Sequence, residues 1–439
     1  MLDLPRAASS LALWLLVAPA VAADSPSQAL LRVVDAFQGE DVSAARRAQG
    51  ALESLGRDRP EARAGRGLVL YLEQDFAGAL AALSAVEPRL DPTGAARLAR
   101  ARAAFFLGRV DEARAALGPT LTGSGEEARG DARLQTLLDG PFRARWPLAA
   151  DALEAPTPEG HYRVVSDVGL SDAELARLEK KLSQAAPAQR QKLLEQARRK
   201  HPGLARLAWL LERAHAAFGR LFPAEEQAAG LVPSVYVLRD RRGFDDFSRQ
   251  LGAGAGESTL GYYVPSLRVL VFYDQSRGER PGELDPETRT TLLHETFHHW
   301  LHIYAPGAPR WFDEGLAEYF GISQVTAKEY RYGLLPTTHP SRLDNIREAL
   351  SGALPEPMRL DALLQADHET FMVRAAVNYA QSWSFVHFLG SSPGGQKLLR
   401  AYFQTLRRAG PEVAFREVFA PLDLRALEAE WKAYVARLK

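Results

Sequence analysis

The N-terminal part of the chain carries a 34-residue internal repeat. The repeated positions hold an aromatic residue, an apolar residue and an alanine, namely Phe37, Tyr71 and Phe105, then Val42, Phe76 and Val110, and then Ala45, Ala79 and Ala113. A small alanine lets two helices approach closely, and an aromatic ring fills the groove beside it. The pattern therefore predicts stacked helical hairpins over residues 28–120. An alanine-rich helical bundle with an accidental register is the alternative.

A period of 34 residues built on helix pairs resembles the tetratricopeptide repeat. The resemblance implies that about three hairpins stack, because one hairpin cannot bury its apolar face alone. Stacks of this kind present concave surfaces that bind peptides. A protein partner on the helical repeats is therefore a possible function of this part of the chain.

Composition excludes several classes of function. The 439 residues leave room for two or three domains. Lys and Arg total 54 and Asp and Glu total 54, so net charge gives no reason to expect nucleic acid as a partner. The body of the chain has no apolar run long enough for a transmembrane helix. The absence of cysteine excludes disulfides, a thiolate nucleophile, a Cys-based metal site and a lipoprotein anchor.

Residues 1–22 have the features of a signal peptide. Arg6 gives a short basic region, residues 11–17 are apolar, and residues 20–22 form a small-x-small cleavage site. An N-terminal membrane anchor is the alternative. Only eight of the 54 basic residues are Lys, which with the high alanine content is typical of a GC-rich bacterial genome. The sequence predicts an exported protein, periplasmic or extracellular, with no integral membrane segment after signal cleavage.

The second half of the chain changes from strands to helices. Proline and glycine punctuate a connector at 121–160. Alternating or β-branched runs predict strands at 161–166, 235–238, 259–264 and 267–273, and the last two form a hairpin. A polar helix is predicted from Ser171 to about Lys200, stopped by Pro202, and an amphipathic helix follows at 204–222. The rest is mainly helical, so we expect an α+β domain at 161–439 after the repeats.

The segment His294–His298 has the pattern His-Glu-x-x-His, which carries metal chemistry when it lies on a helix. Asp285 as N-cap and Pro286 in the first turn predict that helix. Residues four apart on a helix are neighbours, so the imidazoles of His294 and His298 can converge on one ion. Glu295 would then act as general base toward a water molecule activated by the metal.

A second motif, Glu-Gly-x-Ala-Glu-Tyr, begins at Glu314. Together the two motifs resemble the gluzincin zinc peptidases, and most closely the peptidase-MA-like domains of bacterial secreted proteins. The resemblance implies that Glu314 completes a site for one Zn²⁺ ion with His294 and His298. It also implies that Glu318, one helical turn later, orients His294 through a hydrogen bond.

Three tyrosines complete the predicted site. Some gluzincins use a downstream tyrosine to stabilise the oxyanion, and the resemblance nominates Tyr379 for that role. An edge strand before the zinc helix pairs with extended substrate in that group, which implicates Tyr262 and Tyr263. Side chains alternate along a strand, so one of the two is expected to line the cleft and the other to pack inside. Ordinary packing roles are the alternative for all three.

The resemblance covers roughly residues 160–390, and the polar stretch 171–203 looks like an insertion. It implies a secreted zinc-dependent peptidase that acts on a peptide or protein substrate. The main alternative is a secreted repeat scaffold whose peptidase-like domain binds metal without catalysis, although Glu295 would then have no purpose. An intracellular chaperone-like repeat protein is a third possibility, and it requires the N-terminal signal to remain uncleaved.

Overall fold

The computed structural model describes residues 25–118 and 202–438, and shorter stretches between 132 and 196. Gaps within the two long ranges are residues 40, 92, 108, 225–232, 252–255, 257–258, 276–283, 327–328 and 337–340. The predicted signal peptide and most of the predicted connector lie outside the described residues. The described residues are mostly helical with a small mixed sheet, in agreement with the predicted α+β class. No helix among them is both long enough and apolar enough to cross a membrane.

Three helical hairpins form the N-terminal part. They pair α1 (Pro26–Gln38) with α2 (Val42–Ser54), α3 (Pro60–Leu72) with α4 (Phe76–Leu83), and α5 (Ala95–Phe106) with α6 (Val110–Leu117). The second helix of each hairpin therefore begins 34 residues after the previous one, which confirms the predicted hairpin repeat. The repeated alanines Ala45, Ala79 and Ala113 are fully buried, as close helix contact requires.

A five-stranded sheet follows, in the order β1-β2-β3-β5-β4. Its strands are β1 (Glu154–Pro156), β2 (Arg163–Ser166), β3 (Ser234–Leu238), β4 (Gly261–Val264) and β5 (Val269–Tyr273). The three central strands are parallel, while β1 and β4 are antiparallel edges. The predicted hairpin of β4 and β5 is present, and β4 is an edge strand as the resemblance implied. The segment predicted as a connector supplies β1.

Three helices lie between strands of the sheet in sequence: α7 (Asp172–Gln184), α8 (Pro202–Leu221) and α9 (Arg241–Gln250). The others are α10 (Pro286–Tyr304), α11 (Arg310–Gly321), α12 (Arg342–Ser351), α13 (Leu360–Leu363), α14 (His368–Met372), α15 (Ala375–Gly390), α16 (Pro393–Ala409), α17 (Pro411–Ala414) and α18 (Leu424–Arg437). A two-stranded ribbon, β6 (Gln324–Val325) with β7 (Tyr330–Arg331), lies between α11 and α12.

The polar helical segment differs from its prediction. The continuous helix α7 ends at Gln184 instead of running to Lys200. Pro202 begins helix α8 and does not merely stop the preceding one. Proline suits the first turn of a helix because its missing N–H would have had no partner there. The predicted N-cap Ser171 lies outside the described residues.

Each face of the sheet is covered by its own apolar core. Val164, Val237 and Phe272 point into a core shared with α8, α10, α11 and α15. Val165 and Val271 point to the opposite face, where they join a second core with α9 and the helical hairpins. The alternation follows from the two-residue period of a strand. The sheet is therefore a central layer between the hairpins and the helices that carry the candidate site.

Candidate metal centre

Helix α10 presents the first motif on one face. The Asp285 carboxylate accepts hydrogen bonds from the backbone N–H of Glu287 at 2.9 Å and of Thr288 at 3.3 Å, so it caps the helix as predicted. Leu293 and Phe297 are fully buried in the core beneath the helix. The adjacent face carries the half-buried His294 and His298, which line a cavity of about 630 Å³. Burial of the apolar face thus fixes where the two imidazoles point.

Helix α11 lies against both α10 and α15. It approaches α15 so closely at Gly315 that a Cβ atom there would lie 2.7 Å from the backbone oxygen of Ser382. No residue larger than glycine fits that contact without a backbone shift. Gly315 therefore lets α11 seat its first turn between the motif helix and α15, and this brings Glu314 to the histidines.

The side chains of His294, His298 and Glu314 converge on one point. The two Nε2 atoms are 2.9 Å apart, and Glu314 Oε2 lies 3.4 Å from Nε2 of His298 and 3.6 Å from Nε2 of His294. Two ligand atoms bound tetrahedrally at 2.0–2.1 Å are about 3.3–3.4 Å apart, so the three separations fit one small ion. This buried group can hold a metal ion.

Asp313 sets the orientation of His298. Its Oδ1 atom lies 2.6 Å from Nδ1 of His298, which faces away from the ligand cluster. A proton on Nδ1 in this contact leaves Nε2 with a lone pair toward the common point. Burial disfavours the charged imidazole, but the carboxylates of Asp313 and Glu314 outweigh it and raise the pKa of His298 well above its ordinary value. The donor set is thus arranged for a cation.

The two carboxylate oxygens of Glu314 have different surroundings. While Oε2 faces the histidines, Oε1 accepts hydrogen bonds from Arg310 Nη1 and from the Tyr379 hydroxyl, both at 3.1 Å. Glu314 is only 4% exposed, and burial disfavours its charged form. The adjacent imidazoles of His298 and His294 nevertheless hold its pKa well below the usual range. Glu314 is therefore a fixed anion.

Glu295 lines the same cavity as the ligand cluster. Among the described residues it has no hydrogen-bond partner, in contrast to Asp313 and Glu314. Burial raises the pKa of its carboxyl above the ordinary value, against the lowering effect of His298 and His294. A half-buried carboxylate without a hydrogen-bond partner, beside a metal-competent cluster, is free to exchange a proton with a molecule in the cavity.

Glu318 does not form the hydrogen bond expected with His294. Its Oε1 atom instead accepts from Nε and Nη2 of Arg342, at 2.8 and 2.6 Å. Arg342 begins helix α12 and also lies over the Tyr379 ring, 5.1 Å from its centroid. The two-pronged guanidinium outcompetes an imidazole for this carboxylate because it offers two donors in a fixed plane. Glu318 remains in the cavity wall.

The two tyrosines of β4 point to opposite faces. Tyr263 lines the metal cavity and contacts the ring of His299 edge-on, with centroids 5.4 Å apart. Tyr262 faces the other core, and its hydroxyl donates to Ser248 Oγ at 2.9 Å. Of the pair, only Tyr263 is therefore placed to meet a molecule in the cavity.

The other histidines near the motif do not join the cluster. His299 is buried on the sheet side of α10, where burial lowers its pKa well below the ordinary value. His302 lines the cavity but lies two helical turns from His294, roughly 12 Å along the axis. His387 is bonded to Tyr434 and to the Gly333 carbonyl. The metal-competent group is thus two histidines and one glutamate.

Sequence reasoning missed three charged residues of the site. Asp313 was detectable, since it forms an acidic pair with Glu314 at the start of a helix. Arg310 and Arg342 carried no signal, because their roles depend on which carboxylates the fold brings beside them. Both are now seen to hold a cavity carboxylate in place.

Substituting Asp313 by asparagine is expected to weaken metal binding by about 10–100-fold, the usual cost of losing a partner behind a ligand histidine. The neutral amide of asparagine lacks the negative charge beside Nδ1 of His298 that strengthens Nε2 as a metal ligand. Competition with a chromophoric chelator measures the affinity, and Asp246→Asn on the exposed face of α9 is the control. An unchanged affinity in Asp313→Asn would contradict this role.

Comparison with known protein families gives a match to one part of the chain. A family model described as a protein of unknown function (DUF1570) matches residues 289–410. No curated protein matches the chain. The matched segment contains His294, Glu295, His298, Glu314 and Tyr379 and runs from the metal-facing part of α10 to the end of α16. The chain is thus similar to DUF1570 proteins over the stretch that builds the candidate metal centre.

Proposed function

We propose that this protein is an exported zinc-dependent peptidase that hydrolyses peptide bonds in a peptide or protein substrate. The observation that carries the proposal is the convergence of His294, His298 and Glu314 on one point, with the unpartnered carboxylate of Glu295 on the same cavity wall. A metal site with three protein ligands and an open cavity is typical of catalytic rather than structural sites. The resemblance of both motifs to gluzincin peptidases supports the same reaction.

Zinc is the metal that this donor set favours. Two imidazole nitrogens and one carboxylate oxygen at tetrahedral spacing suit Zn²⁺ better than Mg²⁺ or Ca²⁺, which prefer six or more oxygen ligands. When bound, Zn²⁺ supplies Lewis-acid polarisation of a carbonyl and lowers the pKa of water to about 7. Asp313, Arg310 and Tyr379 would hold the ligands in position before substrate arrives.

The chain's own groups supply the proton transfers. Glu295 takes a proton from water and delivers it to the leaving amine nitrogen, as a general base that becomes a general acid. Burial keeps the Tyr379 hydroxyl protonated by raising its pKa, and in the described structure it donates to Glu314. Tyr379 therefore serves as a positioning residue for Glu314. To act as the predicted oxyanion donor, the Tyr379 hydroxyl would have to release Glu314 and donate its hydrogen bond to the substrate.

The experiment that tests the proposal is metal removal. Purified protein is expected to contain close to one zinc per chain and to hydrolyse a fluorescein-labelled denatured casein. Dialysis against a chelator should abolish hydrolysis, and stoichiometric Zn²⁺ should restore it. Zinc at one equivalent with no hydrolysis of any unfolded protein would favour the non-catalytic scaffold instead. Purified protein that is folded but contains no metal would contradict the proposal.

A further inference from the structure

The metal cavity opens into a larger groove. A cavity of about 1360 Å³ adjoins it, and the two share the lining residues His302, Arg310 and Asp313. Small-molecule pockets usually measure about 300–1,000 Å³, so this groove alone exceeds the size that a small ligand needs. Its volume, and its lining residues far from the metal ligands, suit a chain-like ligand that reaches away from the metal centre.

The helical hairpins form one wall of this groove. At its edge lie Val42, Ser43 and Arg46 of α2, together with Glu73 at the end of α3. The opposite wall is the C-terminal part of α16, with Arg407 and nearby polar residues. Two regions far apart in sequence therefore face each other across a space that leads to the metal ligands.

Aromatic and polar contacts fasten the hairpins at this position. The Arg268 guanidinium, between β4 and β5, lies over the rings of Phe76 and Phe106, 4.6 and 5.0 Å from their centroids. The Tyr71 hydroxyl donates to the Ser266 carbonyl at 3.3 Å. Arg268 is only 8% exposed, and stacking on aromatic faces stabilises such a buried cation. The hairpins are therefore docked on the sheet through the turn that precedes β5.

Gln74 links the hairpins directly to the metal-bearing helix. It occupies the turn between α3 and α4 with a left-handed backbone at φ 65°. Its side-chain amide donates to the backbone carbonyl of His302, one turn beyond His298, and accepts from Arg268. A non-glycine residue in this conformation is uncommon and is held by its surroundings. These contacts fix the position of the hairpins relative to the metal centre.

We propose that the helical hairpins form part of the substrate groove of the metal centre. The groove accepts an extended polypeptide segment that contacts the metal centre at one end and the hairpins at the other. This inference rests on the proposed peptidase function and narrows its substrate class to polypeptides longer than the metal cavity alone can hold. The edge strand β4, with Tyr263 facing the cavity, offers backbone pairing to such a segment at the metal end. Oppositely charged side chains, such as Arg46 and Glu73 with their 2.5 Å contact, offer polar contacts at the hairpin end.

The test compares two quenched fluorescent peptides with the same central sequence, chosen from cleavage sites mapped in denatured casein. One has about six residues and spans roughly 20 Å when extended, and the other has about twenty. The variants are Ser43→Trp, which adds bulk to the hairpin wall, and Arg46→Glu, which reverses its charge. Arg63→Glu, at an exposed position of α3 outside the groove lining, is the matched control. Binding of both peptides to the same variants on a Glu295→Gln background is measured by fluorescence anisotropy.

We expect each wall variant to lower kcat/KM for the long peptide by about tenfold, equivalent to roughly 1.4 kcal/mol, and to leave the short peptide unchanged. The control should match the wild type on both. Equal loss on both peptides, or no loss on either, would overturn the shared groove while leaving the peptidase proposal intact. If the wild type does not hydrolyse denatured casein, the peptidase proposal fails, and two casein peptides of these lengths with one central sequence serve as binding probes. In that case, anisotropy tests the shared groove: the wall variants should weaken binding of the long peptide and not of the short one. Unchanged binding of the long peptide would contradict it.

Discussion

Replacing Glu295 by glutamine is expected to abolish peptide hydrolysis while the metal content stays unchanged. The amide keeps the size of the side chain but cannot accept a proton from water. Positioned general bases contribute about 10²–10⁴-fold to a rate, and a loss of at least that size is expected in kcat. Glu295 contributes no atom to the ligand cluster, so bound zinc measured by mass spectrometry should match the wild type.

Glu287→Gln is the matched control for this substitution, because Glu287 lies on the exposed first turn of the same helix. Its hydrolysis rate should equal that of the wild type. Full activity in Glu295→Gln would show that another group is the base. Loss of metal along with activity would instead show that Glu295 supports the site structurally.

Replacing Glu314 by glutamine is expected to reduce bound metal from about one ion per chain to background. The carboxylate provides the only anionic ligand in the cluster, and its second oxygen is held by Arg310 and Tyr379. Removing that charge leaves two neutral imidazoles facing a divalent ion in a buried site, where an uncompensated charge is costly. Metal analysis after gel filtration and a chelator competition give the stoichiometry and affinity.

Glu318→Gln is the matched control, one turn farther along α11. Its carboxylate is held by Arg342 and does not belong to the cluster, so this variant should retain the metal. Circular dichroism of both proteins separates loss of a ligand from loss of the fold. Metal bound by Glu314→Gln with wild-type affinity would exclude Glu314 from the coordination sphere.

Local patterns predicted the helices that carry the site. Asp285 and Pro286 marked the start of α10, and the four-residue spacing of His294 and His298 placed both imidazoles on one face. Choosing Glu314 as their partner needed the resemblance to a family, since spacing alone does not say which later carboxylate folds back. The repeat of 34 residues predicted the stacked hairpins because each unit is built by local contacts.

Long-range contacts explain what sequence did not predict. The partner of Glu318 depends on Arg342, 24 residues later, and the partner of Tyr379 depends on how closely α15 approaches Gly315. The docking of the hairpins beside the metal centre has no local signature, because Arg268 and Phe76 are almost two hundred residues apart. These residue pairs form only in the tertiary structure, and no periodic pattern in the sequence predicts them.

The sheet with an apolar core on each side has a consequence for how this chain can be divided. Deleting the hairpins would expose Val165, Val271 and their neighbours to water, at a cost of roughly 25 cal/mol for each Å² of apolar surface. The metal-bearing half would lose the layer behind its sheet as well as the wall beside its ligands. We therefore expect the two halves to unfold together, and a version of the metal-bearing half that folds alone would need polar residues on that face of the sheet.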